Sequence, residues 1–167
     1  WEADLSSVRE QAAKAERSLA TARDGDRTHA EVQGWLRDLG SALGFEVWVA
    51  ANDRGRAYAG GRLGDGCLEA LPSALESGPG GDAVRLIDVL WLERGTGRVA
   101  AAFEVEHTTS IYSGIVRLLD LALGAAAESA RGLFLVAPDD REQQVRAQLA
   151  RPAFSRVSDL HVRFLPY

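Results

Sequence analysis

Asp88, Glu104 and Glu106 are the residues of this chain whose types and spacing best fit chemistry: three carboxylates that close two apolar runs. The runs, 84–92 and 98–106, read as strands, and the segment between them, 93–97, carries two glycines that suit a hairpin loop. Side chains alternate faces along a strand, so Glu104 and Glu106 share one face while Phe103 and Val105 take the other. With the loop centred near Gly95 and Thr96, residue numbers across the hairpin sum to about 192. Asp88 then lies opposite Glu104 with Cβ atoms roughly 5 Å apart, and the three carboxylates can meet at one point.

Three anions among apolar neighbours repel one another and resist desolvation, a conflict that a hard divalent cation removes. Mg²⁺ is the expected ion, with Mn²⁺ as the alternative, because it prefers oxygen ligands and commonly takes one or two carboxylates plus substrate phosphate oxygens. The plain alternative is a solvated Glu-x-Glu at a strand end. The flanking Leu90, Trp91, Ala100 and Ala102 favour a buried hairpin, and with it the metal site.

Those strands need a frame. At 167 residues and 46% hydrophobic content the chain can bury one good core. No apolar run of about 18 residues is present and no signal-peptide pattern is seen, so a cytoplasmic protein without membrane contact is expected. Cys67 is the single cysteine, which excludes an internal disulfide and a multi-cysteine zinc site. The absence of Met and the start at Trp1 suggest a piece of a longer protein. The net charge of −5 does not advertise nucleic-acid binding, but phosphate contacts depend on local charge. Basic charge is almost wholly arginine, with Lys14 the sole lysine.

Trp1, Leu5, Val8, Ala12, Ala15, Leu19 and Ala22 form a heptad seam, so the first element is a helix with a partner, either a second copy or the domain's own surface. Asp24 to Arg27 break that pattern as a linker, giving an N-terminal helix and linker over 1–27 and a domain over 28–167. A second helix starts at Thr28, where Thr28 and Glu31 fit a capping box, and packs Val32, Trp35, Leu36, Leu39 and Leu43 on a sheet. Strand 45–50 follows, then a turn at 52–55 and a mainly looped stretch over 60–82. After the hairpin come a helix over 111–127, a buried strand over 132–138, a helix capped by Asp139 or Asp140, and a strand over 160–165.

Around the carboxylates, the start of helix 111–127 with Thr108, Thr109 and Ser110 is suited to hold a phosphate, although plain capping is the commoner job for these residues. Tyr112, Arg117 and His107 can reach the same region, and His29 and Gln33, one helical turn apart, either line the cleft or face water. Arg54, Arg56 and Arg62, interleaved with Tyr58 and glycines, form a basic segment suited to tracking a phosphate backbone.

The order helix, three strands, helix, strand, with an acid on the second strand and an acid-x-variable pair ending the third, resembles the PD-(D/E)XK nuclease superfamily. The likeness covers about Thr28 to Pro138 and implies an α/β (α+β) restriction endonuclease-like fold: a core of α-β-β-β-α-β around a mixed central sheet, here preceded by the heptad helix. By this resemblance Asp88 and Glu104 bind Mg²⁺, the Val105 carbonyl contributes a ligand, and Glu31 matches an acid that many members place on the first helix. Glu106 stands where the motif lysine is usual, and Ile87 replaces the motif proline. Some restriction enzymes in the superfamily carry Glu there and are active, so Glu106 is expected to orient or deprotonate the attacking water. The resemblance implies a Mg²⁺-dependent deoxyribonuclease acting on DNA, an endonuclease domain of a larger restriction or defence protein. The alternatives are a catalytically inactive nuclease-like module that binds DNA or a partner protein, and an assembly domain working through the N-terminal helix, as a homodimer or with a partner.

Overall fold

The computed structural model describes residues 2–107, 111–124, 130, 132–155 and 161–167, with the backbone alone at 2–10, 12 and 155. Its element order is α1 (Glu2–Ala42), β1 (Glu46–Val49), β2 (Ala57–Tyr58), β3 (Gly61–Arg62), α2 (Ser73–Glu76), α3 (Gly81–Val84), β4 (Val89–Leu92) and β5 (Val99–Val105). It continues with α4 (Ile111–Leu123), β6 (Gly132–Ala137), α5 (Glu142–Leu149), α6 (Pro152–Ser155) and β7 (Val162–Pro166). A mixed five-stranded sheet runs β1-β4-β5-β6-β7, antiparallel from β1 to β5 and parallel from β5 to β7. The mixed sheet and the helix that precedes it agree with the expected α/β architecture. The β2–β3 hairpin, α2 and α3 are inserted between the first and second core strands.

The hairpin register is the expected one: Val89 faces Phe103, Leu90 faces Ala102 and Trp91 faces Ala101, before a bulge shifts Leu92 onto Val99. The faces also separate as alternation requires. Val89, Ala101, Phe103 and Val105 pack with Val32 and Leu36 of α1, whereas Leu90, Leu92 and Ala102 pack with Leu118, Leu121 and Ala122 of α4. The position of strand β6, buried on both faces between β5 and β7, explains the unbroken apolar run 132–137.

Several boundaries differ from expectation. Strand β4 begins at Val89 rather than Val84, because 81–84 close a helical turn that buries Val84, and Ile87 is buried in the turn leading to the strand. The break expected at 24–27 is helical: α1 is one continuous helix, about 60 Å long at 1.5 Å per residue. The Thr28 hydroxyl donates to the Asp24 carbonyl inside that helix instead of capping a new one, and Arg27 lies near both Asp24 and Glu31. Ala15, Leu19 and Ala22 are exposed, so the chain's own surface does not cover the seam at these positions. Helix α5 follows a 3₁₀ turn at Asp139–Arg141 with no side-chain cap, so neither Asp139 nor Asp140 plays that role. Among the described residues no helix is long and apolar enough to cross a membrane.

The buried face of α1 is also narrower than its sequence suggests. Val32 and Leu36 are buried, but Trp35, Leu39 and Leu43 are at least half exposed. The helix instead turns Gly40 toward the sheet, where the Trp91 indole donates to the Leu36 carbonyl at 3.0 Å and leaves no room for a Cβ. Gly40→Val would push into that indole and is expected to cost about 1–3 kcal/mol, seen as a lower urea midpoint. An unchanged midpoint would mean that α1 and β4 are not locked together there.

Candidate active site

Asp88 sits just ahead of β4, at the end of the sheet where β5 runs out at Val105. Its Oδ2 accepts the Val105 N–H at 2.7 Å, a bond that ties the two strand ends together. Its Oδ1 faces α1, accepting Gln33 Nε2 at 3.1 Å and lying 3.3 Å from His29 Nε2. Gln33 and His29 are one helical turn apart, so a single face of α1 supplies both groups. The other oxygen-rich neighbour is Asp53, in the turn after β1, whose Oδ2 accepts Gln33 Nε2 at 2.9 Å and whose Oδ1 accepts Arg56 Nε at 2.6 Å.

Glu104, on β5, is fully buried and points toward α4. Arg117 of α4 grips it in bidentate fashion, Nε to Oε1 at 2.9 Å and Nη2 to Oε2 at 2.5 Å. Glu106 follows on the same face, its carbonyl accepting Arg141 Nη1 at 2.8 Å. Gly114 is what lets α4 come so close, since a Cβ there would stand 2.7 Å from Glu106 Oε1 and 3.2 Å from Glu104 Cβ.

These groups surround a pocket of about 310 Å³. Asp88, Val105 and Glu106 form one part of its wall, His29, Asp53 and Arg56 another, and Ser113 and Arg117 of α4 a third. Glu104 lies behind Arg117 and does not line it. Of the three carboxylates expected to meet at one point, Asp88 and Glu106 both line the pocket, whereas a guanidinium already matches both oxygens of Glu104.

The electrostatics follow from burial. Desolvation drives the Glu104 pKa well above the ordinary carboxylate range, the Arg117 hydrogen bonds and charge oppose the rise, and Asp88 and Glu106 add to it. Arg117, in turn, holds its proton more tightly than a free guanidinium, chiefly through the bond to Glu104. Burial would lower the pKa of His29, but the hydrogen bond to Asp88 and the charges of Asp88 and Asp53 outweigh burial and the nearby Arg56, leaving it raised.

Of the other described residues singled out in the sequence, His29, Arg56, Val105 and Arg117 line the pocket, whereas Glu31, Arg54, Arg62, Tyr112 and His107 do not. Glu31 is half-exposed beside Arg27. Arg54 lies over the Trp48 ring and donates to the Leu68 carbonyl, and Arg62 is exposed on the β2–β3 hairpin. Tyr112 packs on Phe154 and Arg151, and His107 bonds the Tyr167 hydroxyl. Thr108, Thr109 and Ser110 lie outside the described residues. Asp53 is the functional candidate that the sequence reading passed over, as part of a turn. Its only signal was an acid just beyond a strand whose end must lie beside Asp88.

The donor set fits a divalent cation: the carboxylates of Asp53, Asp88 and Glu106 and the His29 imidazole line one pocket, and Gln33 Oε1, in a fully buried side chain, has no hydrogen-bond partner.

Over residues 9–167 the chain matches the family described as the type II restriction enzyme NmeDI C-terminal domain. It is 30% identical over 149 residues to the type II restriction enzyme NmeDI of Neisseria meningitidis serogroup C, covering 86% of this chain and 41% of that protein. The chain thus spans about two fifths of the length of the curated relative it matches. No solved structure matches it.

The Arg117–Glu104 pair yields a stability test. Arg117→Gln leaves a buried carboxylate without its cation and is expected to cost about 3 kcal/mol or more near neutral pH. Because the orphaned Glu104 has a raised pKa in the folded state, the folded protein holds the extra proton, and stability falls as pH rises above the ordinary carboxylate range. Urea midpoints of wild type and variant should therefore differ more at about pH 8 than at about pH 5. Equal differences would mean that Glu104 is not the group left unpaired.

Proposed function

The chain belongs to the family of the type II restriction enzyme NmeDI C-terminal domain, and from that membership we propose that it is the catalytic domain of a restriction endonuclease, hydrolysing DNA phosphodiester bonds with Mg²⁺. The observation that carries the proposal is the pocket at the sheet end, where buried Asp88 and Glu106 line a space of about 310 Å³ together with Arg56 and Arg117. Carboxylates suited to a cation stand there with arginines suited to a phosphate.

In this reading the site is a PD-(D/E)XK variant in which Asp88, Glu104 and the Val105 carbonyl would hold the ion and Glu106 takes the lysine's place. A bound Mg²⁺ would polarise the phosphoryl oxygens and lower the pKa of a bound water. Asp88 is prepared for its part, since Val105 N–H fixes one of its oxygens and leaves the other turned inward. Glu106, nearly fully buried on the pocket wall, would orient the water and accept its proton. Arg117, which holds both oxygens of Glu104, would be able to take a DNA phosphate oxygen in its place, and Glu104 would then be free to hold the ion. Arg56, whose Nη1 lies 3.7 Å from the exposed Asp26, would take a neighbouring phosphate.

The second reading, a module that binds DNA or a partner without turnover, draws on the same pair: both oxygens of Glu104 are taken by Arg117. Supercoiled plasmid separates the two. With Mg²⁺, the nuclease reading expects nicking or linearisation by wild type and a loss of roughly 10²-fold or more in Asp88→Asn and in Glu106→Gln. Retarded but intact plasmid with wild type, or full cleavage by Asp88→Asn, would overturn it.

A further inference from the structure

Among the described residues, one group of three side chains brings potential metal-ligand atoms together, all within 4.8 Å of one another: His29, Asp53 and Asp88. Their arrangement has the form of a prepared coordination shell. Each carboxylate has an outer oxygen tied to the frame, Asp53 Oδ1 by Arg56 Nε at 2.6 Å and Asp88 Oδ2 by the Val105 N–H at 2.7 Å. Each has an inner oxygen turned to a common centre, Asp53 Oδ2 at 3.8 Å and Asp88 Oδ1 at 3.3 Å from His29 Nε2. Such outer hydrogen bonds are how metal ligands are oriented.

Gln33 supplies an independent sign. It is fully buried, its Nε2 touches both inner oxygens at 2.9 and 3.1 Å, and its Oε1 has no partner. Leaving a buried amide oxygen unbonded costs about 1–3 kcal/mol. Half a turn of the amide would bring Oε1 to the same centre in place of the NH₂ group and offer a cation there one more oxygen donor.

We propose that His29 Nε2, Asp53 Oδ2 and Asp88 Oδ1 form a second divalent-cation site, beside the Asp88–Glu104 site and sharing Asp88 with it, that takes a first-row transition ion such as Mn²⁺ in preference to Mg²⁺. The selectivity comes from the donors. An imidazole nitrogen with two carboxylates suits Mn²⁺ and its heavier neighbours, whereas Mg²⁺ favours an all-oxygen, largely hydrated shell. The site stands on its own geometry, and it deepens the nuclease reading only in that Asp88 serves both ions.

The test titrates Mn²⁺ and Mg²⁺ into the full chain by calorimetry, records the electron spin echo of bound Mn²⁺, and assays plasmid cleavage on the same samples. Wild type is expected to bind Mn²⁺ more tightly than Mg²⁺ and to show the nitrogen-14 modulation of a coordinated imidazole. His29→Gln should lose that modulation and about 10-fold or more in Mn²⁺ affinity; Asp53→Asn should lose similar affinity, and Glu104→Gln should keep the modulation. No nitrogen modulation in wild type would overturn the proposal without recourse to any variant, as would its survival in His29→Gln, which would place the ion on His107 or His161. Expected metal behaviour without plasmid cleavage would sink the nuclease reading alone, and cleavage without nitrogen coordination would sink this one alone.

Discussion

Asp88, Glu104 and Glu106 are each buried to 5% exposure or less, and carrying ionised groups that far from solvent costs several kcal/mol apiece unless donors and cations surround them. The positions of both long helices at the sheet can be read from that need. Helix α1 must pass close enough to put His29 and Gln33 on Asp88, and α4 must pass close enough for Arg117 to grip Glu104. Gly40 and Gly114 are the points at which each helix dispenses with a side chain to do so. The Val105 N–H closes the remaining gap by holding Asp88 to the end of the neighbouring strand.

The same constraint gives the pocket its charge pattern. Every carboxylate that feels a nearby arginine is partly neutralised, so the site can hold its acids in place before any ligand arrives. The arginines concerned are on the pocket wall, where phosphate oxygens offer them an equivalent partner. A chain with a net charge of −5 can therefore present local positive charge where a DNA backbone would pass, which the sum over the sequence conceals.

The β4–β5 hairpin and its register were legible because a short glycine-containing loop and strict alternation leave few ways to pair two apolar strands. Helix α4 and strand β6 were legible for a similar reason, their apolar periodicities being strong and uninterrupted. The continuity of α1 was not, since Gly25 between two aspartates has poor local helix propensity, and the contact of Asp26 with Arg56, 30 positions on, leaves no local signal.

By itself the sequence determined the fold class, the pairing that sets Asp88 across from Glu104, and the shared face of Glu104 and Glu106, because these depend on local period and on a loop of five residues. Only the tertiary structure decided which acids face the pocket. Asp53 joins Asp88 across 35 positions, His29 and Gln33 reach it from another layer, and Arg117 takes Glu104 out of the open site. Such contacts depend on how closely two helices approach a sheet end, and that distance is set by packing between segments that no local pattern relates.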